Sequence, residues 1–133
     1  MMEPRAPKMT QCSPHSTARV GAYGEEVALR YLRSLGYAVR AMNERVAHDE
    51  IDIIAFDPAE KSLIFAEVKT RASFDQDFPP QLNLTPAKCA CLRRSARAWV
   101  ADHAYEGSYR IDLLCVAAGR VVEHIKEIAE ICE

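Results

Sequence analysis

Apolar residues recur along this chain at two periods, and the change of period marks out its elements. From about Arg19 to Leu35, the residues Val20, Val27, Ala28, Tyr31, Leu32 and Leu35 fall on one side at about 100° per residue, which predicts an amphipathic helix. Gly36 follows where a helix commonly passes into left-handed backbone and stops. Short strand-like runs come next: Tyr37–Asn43, Ile51–Phe56 and Leu63–Lys69. Asp57-Pro58 opens a turn between the last two of these. A polar loop, Arg71–Leu84, precedes Thr85-Pro86, a capping hydroxyl followed by proline at the first helical position. The helix predicted there runs to about His103 with Cys89, Leu92, Ala96, Trp99 and Val100 as its core face. Ile111–Val116 reads as a strand, and Arg120–His124 as its partner across Ala118-Gly119. The order is helix, strands, helix, strands, which predicts an α/β fold with a mixed central sheet flanked by helices.

Acidic and basic residues interrupt the apolar runs where burial would exclude them. With the turn placed at Asp57–Ser62, Phe56 opposes Leu63, Ile54 opposes Phe65, Asp52 opposes Glu67 and Glu50 opposes Lys69, all on one face. Like charges directly opposed across a hairpin repel, so Asp52 facing Glu67 calls for a cation or a proton between them. Hard carboxylate oxygens with room for water suit Mg²⁺. The alternative is that Glu67 and Lys69 are exposed on an edge strand and Asp52 caps a turn. A slip of one residue would send the acids to different faces. Glu25 lies at the border of the apolar helix face, whereas Glu26 points away, toward Arg30 and Arg33.

Length and charge narrow the field. The 133 residues suffice for one domain, read as a flexible tail over 1–18 and a single domain over 19–133. No apolar run could span a bilayer, and Met1 to Ala18 lack the stretch of a signal peptide, so the expectation is a soluble cytoplasmic protein without membrane partners. The odd count of cysteines then reads as reduced thiols. The net charge is −2, so contact with nucleic acid would depend on a local patch. Thr85–Val100 supplies one, with Lys88, Arg93, Arg94 and Arg97 and no acid. Cys89 and Cys91 diverge around a helix and predict no zinc site, and the histidines have no metal spacing. Trp99 is expected in the core, and Asp112 in an ion pair with Arg110.

The blocks GAYGEEVALRYLRSLGYAV, NER, EIDIIAFD, LIFAEVKTR, LTPAK and YRIDLLCV together resemble the YraN-like family of small bacterial proteins of uncharacterised function, from about Gly21 to Ile125. That family is similar to the restriction-endonuclease-like, or PD-(D/E)XK, superfamily, and within it to Holliday junction resolvases. The resemblance implies an αβββαβ core and a Mg²⁺- or Mn²⁺-dependent DNA nuclease acting on branched or single-stranded DNA. It implies Asp52, Glu67 and Glu25 as metal ligands, with Lys69 completing the catalytic set. Thr85 and Lys88 match the family's T-x-x-K block, and with Arg71 they are the expected nucleic-acid contacts. A homodimer is expected by analogy with the resolvases. His48-Asp49 stands where relatives have glycine, which puts the turn into the second strand in doubt. The competing expectation is a non-catalytic nucleic-acid-binding or adaptor protein that keeps the fold, since fold alone does not fix function.

Overall fold

The computed structural model describes residues 18–71 and 84–128. Its elements are α1 (Ala18–Ser34), β1 (Ala38–Val46), β2 (Asp49–Asp57), β3 (Ser62–Arg71), α2 (Pro86–Asp102), β4 (Ser108–Ala117) and β5 (Arg120–Ile125). The expected tail lies outside the described residues except for Ala18, where α1 begins, and so does most of the loop before Thr85. The order of elements is the one expected, and the fold is a mixed α/β sheet flanked by helices with a restriction-endonuclease-like core.

Local chemistry explains the boundaries. Gly36 adopts φ +90°, and the amides of Gly36 and Tyr37 donate to the carbonyls of Arg33 and Leu32, closing α1 with a Schellman motif. Leu35, expected on the core face, sits past the helix end and is exposed. The Thr85 hydroxyl accepts the Lys88 amide at 3.1 Å and starts α2. Asp57 holds the β2–β3 turn by accepting the Ala59 and Glu60 amides through Oδ1.

The sheet order is β1-β2-β3-β4-β5. Neighbours are antiparallel except β3 and β4, which run parallel and are joined through α2. β3 is therefore a central strand. One face of the sheet, with Ile54, Leu63, Phe65, Ile111 and Leu113, packs on Leu92 and Ala96 of α2. The other, with Ile53, Ala55, Ile64, Val68 and Leu114, packs on Ala28 and Leu32 of α1. A strand covered on both faces reads as a near-continuous apolar run, as β3 does over Leu63–Ala66. Trp99 lies partly buried against the α2-side core, with its ring edge-on to Phe65.

The β2–β3 register is the one derived from the turn: Phe56 pairs with Leu63, Ile54 with Phe65 and Ile53 with Ala66. The ladder stops there, one step before Asp52 and Glu67. Where the strands part, the Asp52 carboxylate takes over as acceptor for the Val68 amide, at 2.9 Å. The expected pairing of Glu50 with Lys69 lies beyond this point; Glu50 is instead paired with Arg45 in the β1 ladder.

Candidate functional site

The end of β3 collects charge inside the protein. Relative exposure is 0% for Asp52, 1% for Glu67, 9% for Lys69, 8% for Lys88 and 7% for Glu25. Glu67 and Lys69 alternate with Phe65 on β3, so they share the face that α2 covers. The reading of both as exposed edge residues is excluded, because β3 is central. Lys69 Nζ lies 3.6 Å from Glu67 Oε2. Lys88 enters from the first turn of α2, on the side facing the sheet. Burial, followed by the facing Lys69 ammonium, pushes the Lys88 amine down to about 7, while Glu67 and Asp52 act in the opposite direction. Two lysines and two carboxylates thus meet in one buried place, at the carboxyl end of β3 and the amino end of α2.

Glu25 stands in the first turns of α1, the helix on the opposite face, and is buried, whereas Glu26 is exposed and pairs with Arg30 at 3.0 Å. α1 approaches β3 so closely at Gly24 that a Cβ there would collide with Thr70 Oγ1 and come within 3.0 Å of Thr70 Cβ. This close approach brings the α1 backbone at Gly24, the residue before Glu25, against the end of β3. Among the described residues, no group of at least three acidic, histidine or cysteine side chains is gathered in metal-binding geometry. The donor set available in place is the pair of carboxylates Asp52 and Glu67, whose hard oxygens fit Mg²⁺, an ion usually held by one or two carboxylates with water and substrate phosphate making up the rest.

The remaining expected contacts are distributed unevenly. Thr85 spends its hydroxyl on the α2 cap. Arg71 ends β3, half-buried. The departure at Asp49 has a structural use: its carboxylate accepts from Arg94 Nη2 at 3.0 Å and from Ser95 Oγ at 3.0 Å, fastening α2 to the start of β2. Arg94, one of the basic residues of Thr85–Val100, is therefore a clamp on Asp49. Asn43 escaped the sequence reading. It has φ +53°, faces the Asp52 position in the β1–β2 register, and buries an Oδ1 with no hydrogen-bond partner. Its signal was the tolerance of asparagine for left-handed backbone.

The cysteines correct an expectation. Cys89 and Cys91 are disulfide-bonded, and among the described cysteines only Cys115 is a free thiol, pushed by burial up to about 12. A count along the chain cannot say which sulfurs meet in space. Cys91 Sγ, 3.3 Å from Asp49 Oδ1, consequently has no proton to donate there.

A second buried charge network lies apart from this site. Arg110 donates to Asp112 at 3.0 Å, Asp57 at 3.2 Å, Glu60 at 2.9 Å and the Tyr37 hydroxyl at 2.9 Å. His124 Nε2 lies 2.8 Å from Asp112, and its Nδ1 lies 2.9 Å from the Tyr31 hydroxyl. The expected Arg110–Asp112 ion pair is thus the centre of a larger structural assembly. No helix among the described residues is long and apolar enough to cross a membrane.

Comparison with known proteins agrees with the sequence blocks. The profile of the family described as "Uncharacterised protein family UPF0102" matches residues 24–116. A UPF0102 protein of Pelobacter propionicus is 38% identical over 132 residues, covering 91% of this chain and 93% of its own length. One from Mycolicibacterium vanbaalenii is 40% identical over 119 residues, covering 86% and 96%. One from Oleidesulfovibrio alaskensis is 42% identical over 106 residues, covering 79% of this chain and 50% of its own length. With the αβββαβ order, the buried acid–acid–lysine set and these matches in place, the chain belongs to the UPF0102 family, the YraN-like proteins.

Proposed function

We propose that this protein is a Mg²⁺- or Mn²⁺-dependent DNA nuclease of the PD-(D/E)XK type, acting on branched or single-stranded DNA. The observation that carries the reading is the burial of Asp52, Glu67, Lys69 and Lys88 together at the end of a central strand. Burying paired charges costs more than it returns in stability unless geometry and partners are excellent, so such a set calls for a use. Phosphodiester hydrolysis supplies one. Asp52 and Glu67 would hold the metal, and Glu25 of α1 is the third ligand that the family resemblance implies. When bound, the ion supplies charge neutralisation and a water of lowered pKa.

The chain's own groups have distinct tasks in this reading. The Val68 amide fixes the orientation of the Asp52 carboxylate. Lys69, on the same strand face as Glu67, orients the attacking water or offsets charge developing on the phosphate. Lys88 adds positive charge beside Lys69 and, with Thr85 and Arg71 at the rim, contacts the nucleic-acid backbone. The phosphate of the substrate would bring negative charge between the two lysines and relieve their repulsion. We further place the protein in the cytoplasm, where the thiol pool would open the Cys89 and Cys91 disulfides, and infer a homodimer by analogy with resolvases.

The test is incubation with linear, flapped and four-way DNAs and Mg²⁺ or Mn²⁺, beside calorimetric Mn²⁺ titration of wild type and Asp52→Asn. Metal-dependent cleavage and a weakened Mn²⁺ affinity in the variant are expected. The acidic balance of −2 favours the competing reading, a non-catalytic nucleic-acid-binding or adaptor protein. DNA binding without turnover under every metal condition would decide for it, and equal Mn²⁺ affinity in the two proteins would remove the metal site.

A further inference from the structure

A cavity of about 240 Å³ lies between α2 and the start of β4, lined by Arg93, Arg97, Tyr109, Arg110, Ile111 and Glu127. On β4 the lining residues Tyr109 and Ile111 lie four and two residues before Leu113, the partner of Glu67 in the β3–β4 ladder, so the cavity is offset from the carboxylates by roughly 7–13 Å along the strand. Its donors are largely unused. Arg93 Nη1 is buried without a hydrogen-bond partner. A guanidinium N–H withdrawn from water and left unpaired is costly, more so than a neutral donor. Arg97 follows one turn later on the same side of α2 as Arg93. Among the described residues, neither arginine forms an ion pair, in contrast to Arg94 and Arg110. Arg110 is already neutralised by Asp57 and Asp112. Glu127 brings one negative charge to the wall and has its own interactions. The two uncommitted guanidinium groups therefore leave the cavity positive. The Tyr109 ring is fixed edge-on to Phe65 at 5.5 Å, which holds the opposite wall in place.

We propose that this cavity is a phosphate-binding site, in which Arg93 and Arg97 take the oxyanion through charge-assisted hydrogen bonds. Planar guanidinium groups suit phosphate oxygens, and the volume accommodates one phosphate with several waters. The phosphate is either free inorganic phosphate or the phosphate of an oligonucleotide. The site is separate from the carboxylates and does not require the nuclease reading.

Trp99 provides a local reporter, being the single tryptophan of the chain and in ring contact with Phe65, which also touches Tyr109. The experiment titrates inorganic phosphate into the full chain at constant ionic strength, in chelator, and follows Trp99 fluorescence. Saturable binding is expected, with Arg93→Gln and Arg97→Gln each weakening it about tenfold or more. Lys69→Ala should leave the affinity unchanged. Arg97 is exposed, so its variant keeps the test open if Arg93→Gln fails to fold. A parallel titration with a short single-stranded oligonucleotide distinguishes the sources: joint loss of both affinities in the arginine variants assigns the site to nucleic-acid phosphate, and loss of phosphate binding alone assigns it to the free anion. No saturable signal, an unchanged affinity in both arginine variants, or loss in Lys69→Ala instead would overturn the proposal.

Discussion

Replacing Lys88 by methionine should change how stability depends on pH, and the structure gives the sign. The Lys88 side chain is 8% exposed and faces Lys69 across the site. In the unfolded chain it keeps its proton up to its ordinary value of 10.5, whereas in the folded protein it loses it near 7. Between those values the unfolded state binds one more proton than the folded state. Stability contributed by this group therefore rises with pH across the window, by at most about 1.4 kcal/mol per pH unit. From pH 7 to pH 10 the accumulated gain is roughly 4 kcal/mol at most. Below pH 7 the folded protein bears the full cost of two buried ammonium groups. Lys88→Met removes the titration and keeps the length of the side chain. Urea denaturation of wild type and variant, in chelator at pH 6, 7, 8, 9 and 10, isolates the effect, since other groups are common to both. The variant should be the more stable at pH 6, and the wild type should gain on it by about 3–4 kcal/mol by pH 10. A stability difference that stays flat from pH 7 to pH 10, or that moves against the wild type, would refute the reasoning.

The other expected outcomes touch different parts of the molecule. Lys69→Ala should reduce single-turnover DNA cleavage by about 10²–10³ with DNA affinity nearly kept; a lowered melting temperature with unchanged cleavage by the folded fraction would make Lys69 purely structural. Arg110→Met should destabilise by about 3–5 kcal/mol, because it strands buried Asp112 and Asp57 without their cation. Burial alone would raise both acids, but the His124, Arg110 and Tyr37 hydrogen bonds hold them below the ordinary value of 3.8. Their stabilisation is thus present above pH 3.8 and lost as pH falls below it, so acid denaturation of wild type should be steeper there than that of Arg110→Met. Gly24→Ala should cost about 1–3 kcal/mol through its collision with Thr70, with partial recovery in the Gly24→Ala, Thr70→Ala double variant, measured by thermal melting.

Much of the fold and part of the site can be read from the chain itself. The helical period over Val27–Leu32, the Thr85-Pro86 start and the Gly36 stop are local physics, decided within a few residues, and each lies where it was expected. The β2–β3 register is nearly as local, because the Asp57 turn counts residues and alternation does the rest. From these alone Asp52 and Glu67 are expected opposite one another, and the observed ladder follows that register until one step short of them. What the chain cannot express is which strand lies in the middle. The same Glu67 and Lys69 would be solvated on an edge, and only the parallel pairing of β3 with β4, through the long connection of α2, covers them on both faces. That crossover also delivers Lys88 to Lys69, some nineteen residues away in sequence, and so lowers its pKa. Arg94 on Asp49, Arg110 among Asp57, Glu60 and Tyr37, and the uncommitted Arg93 belong to the same class, for each depends on residues far apart meeting in space. Sequence by itself thus determined the elements and the β2–β3 register up to Ile53 and Ala66, since backbone preference and alternation act over a few residues. The tertiary structure alone decided burial, and with it which charges are costly to keep, because solvation depends on what every other element covers.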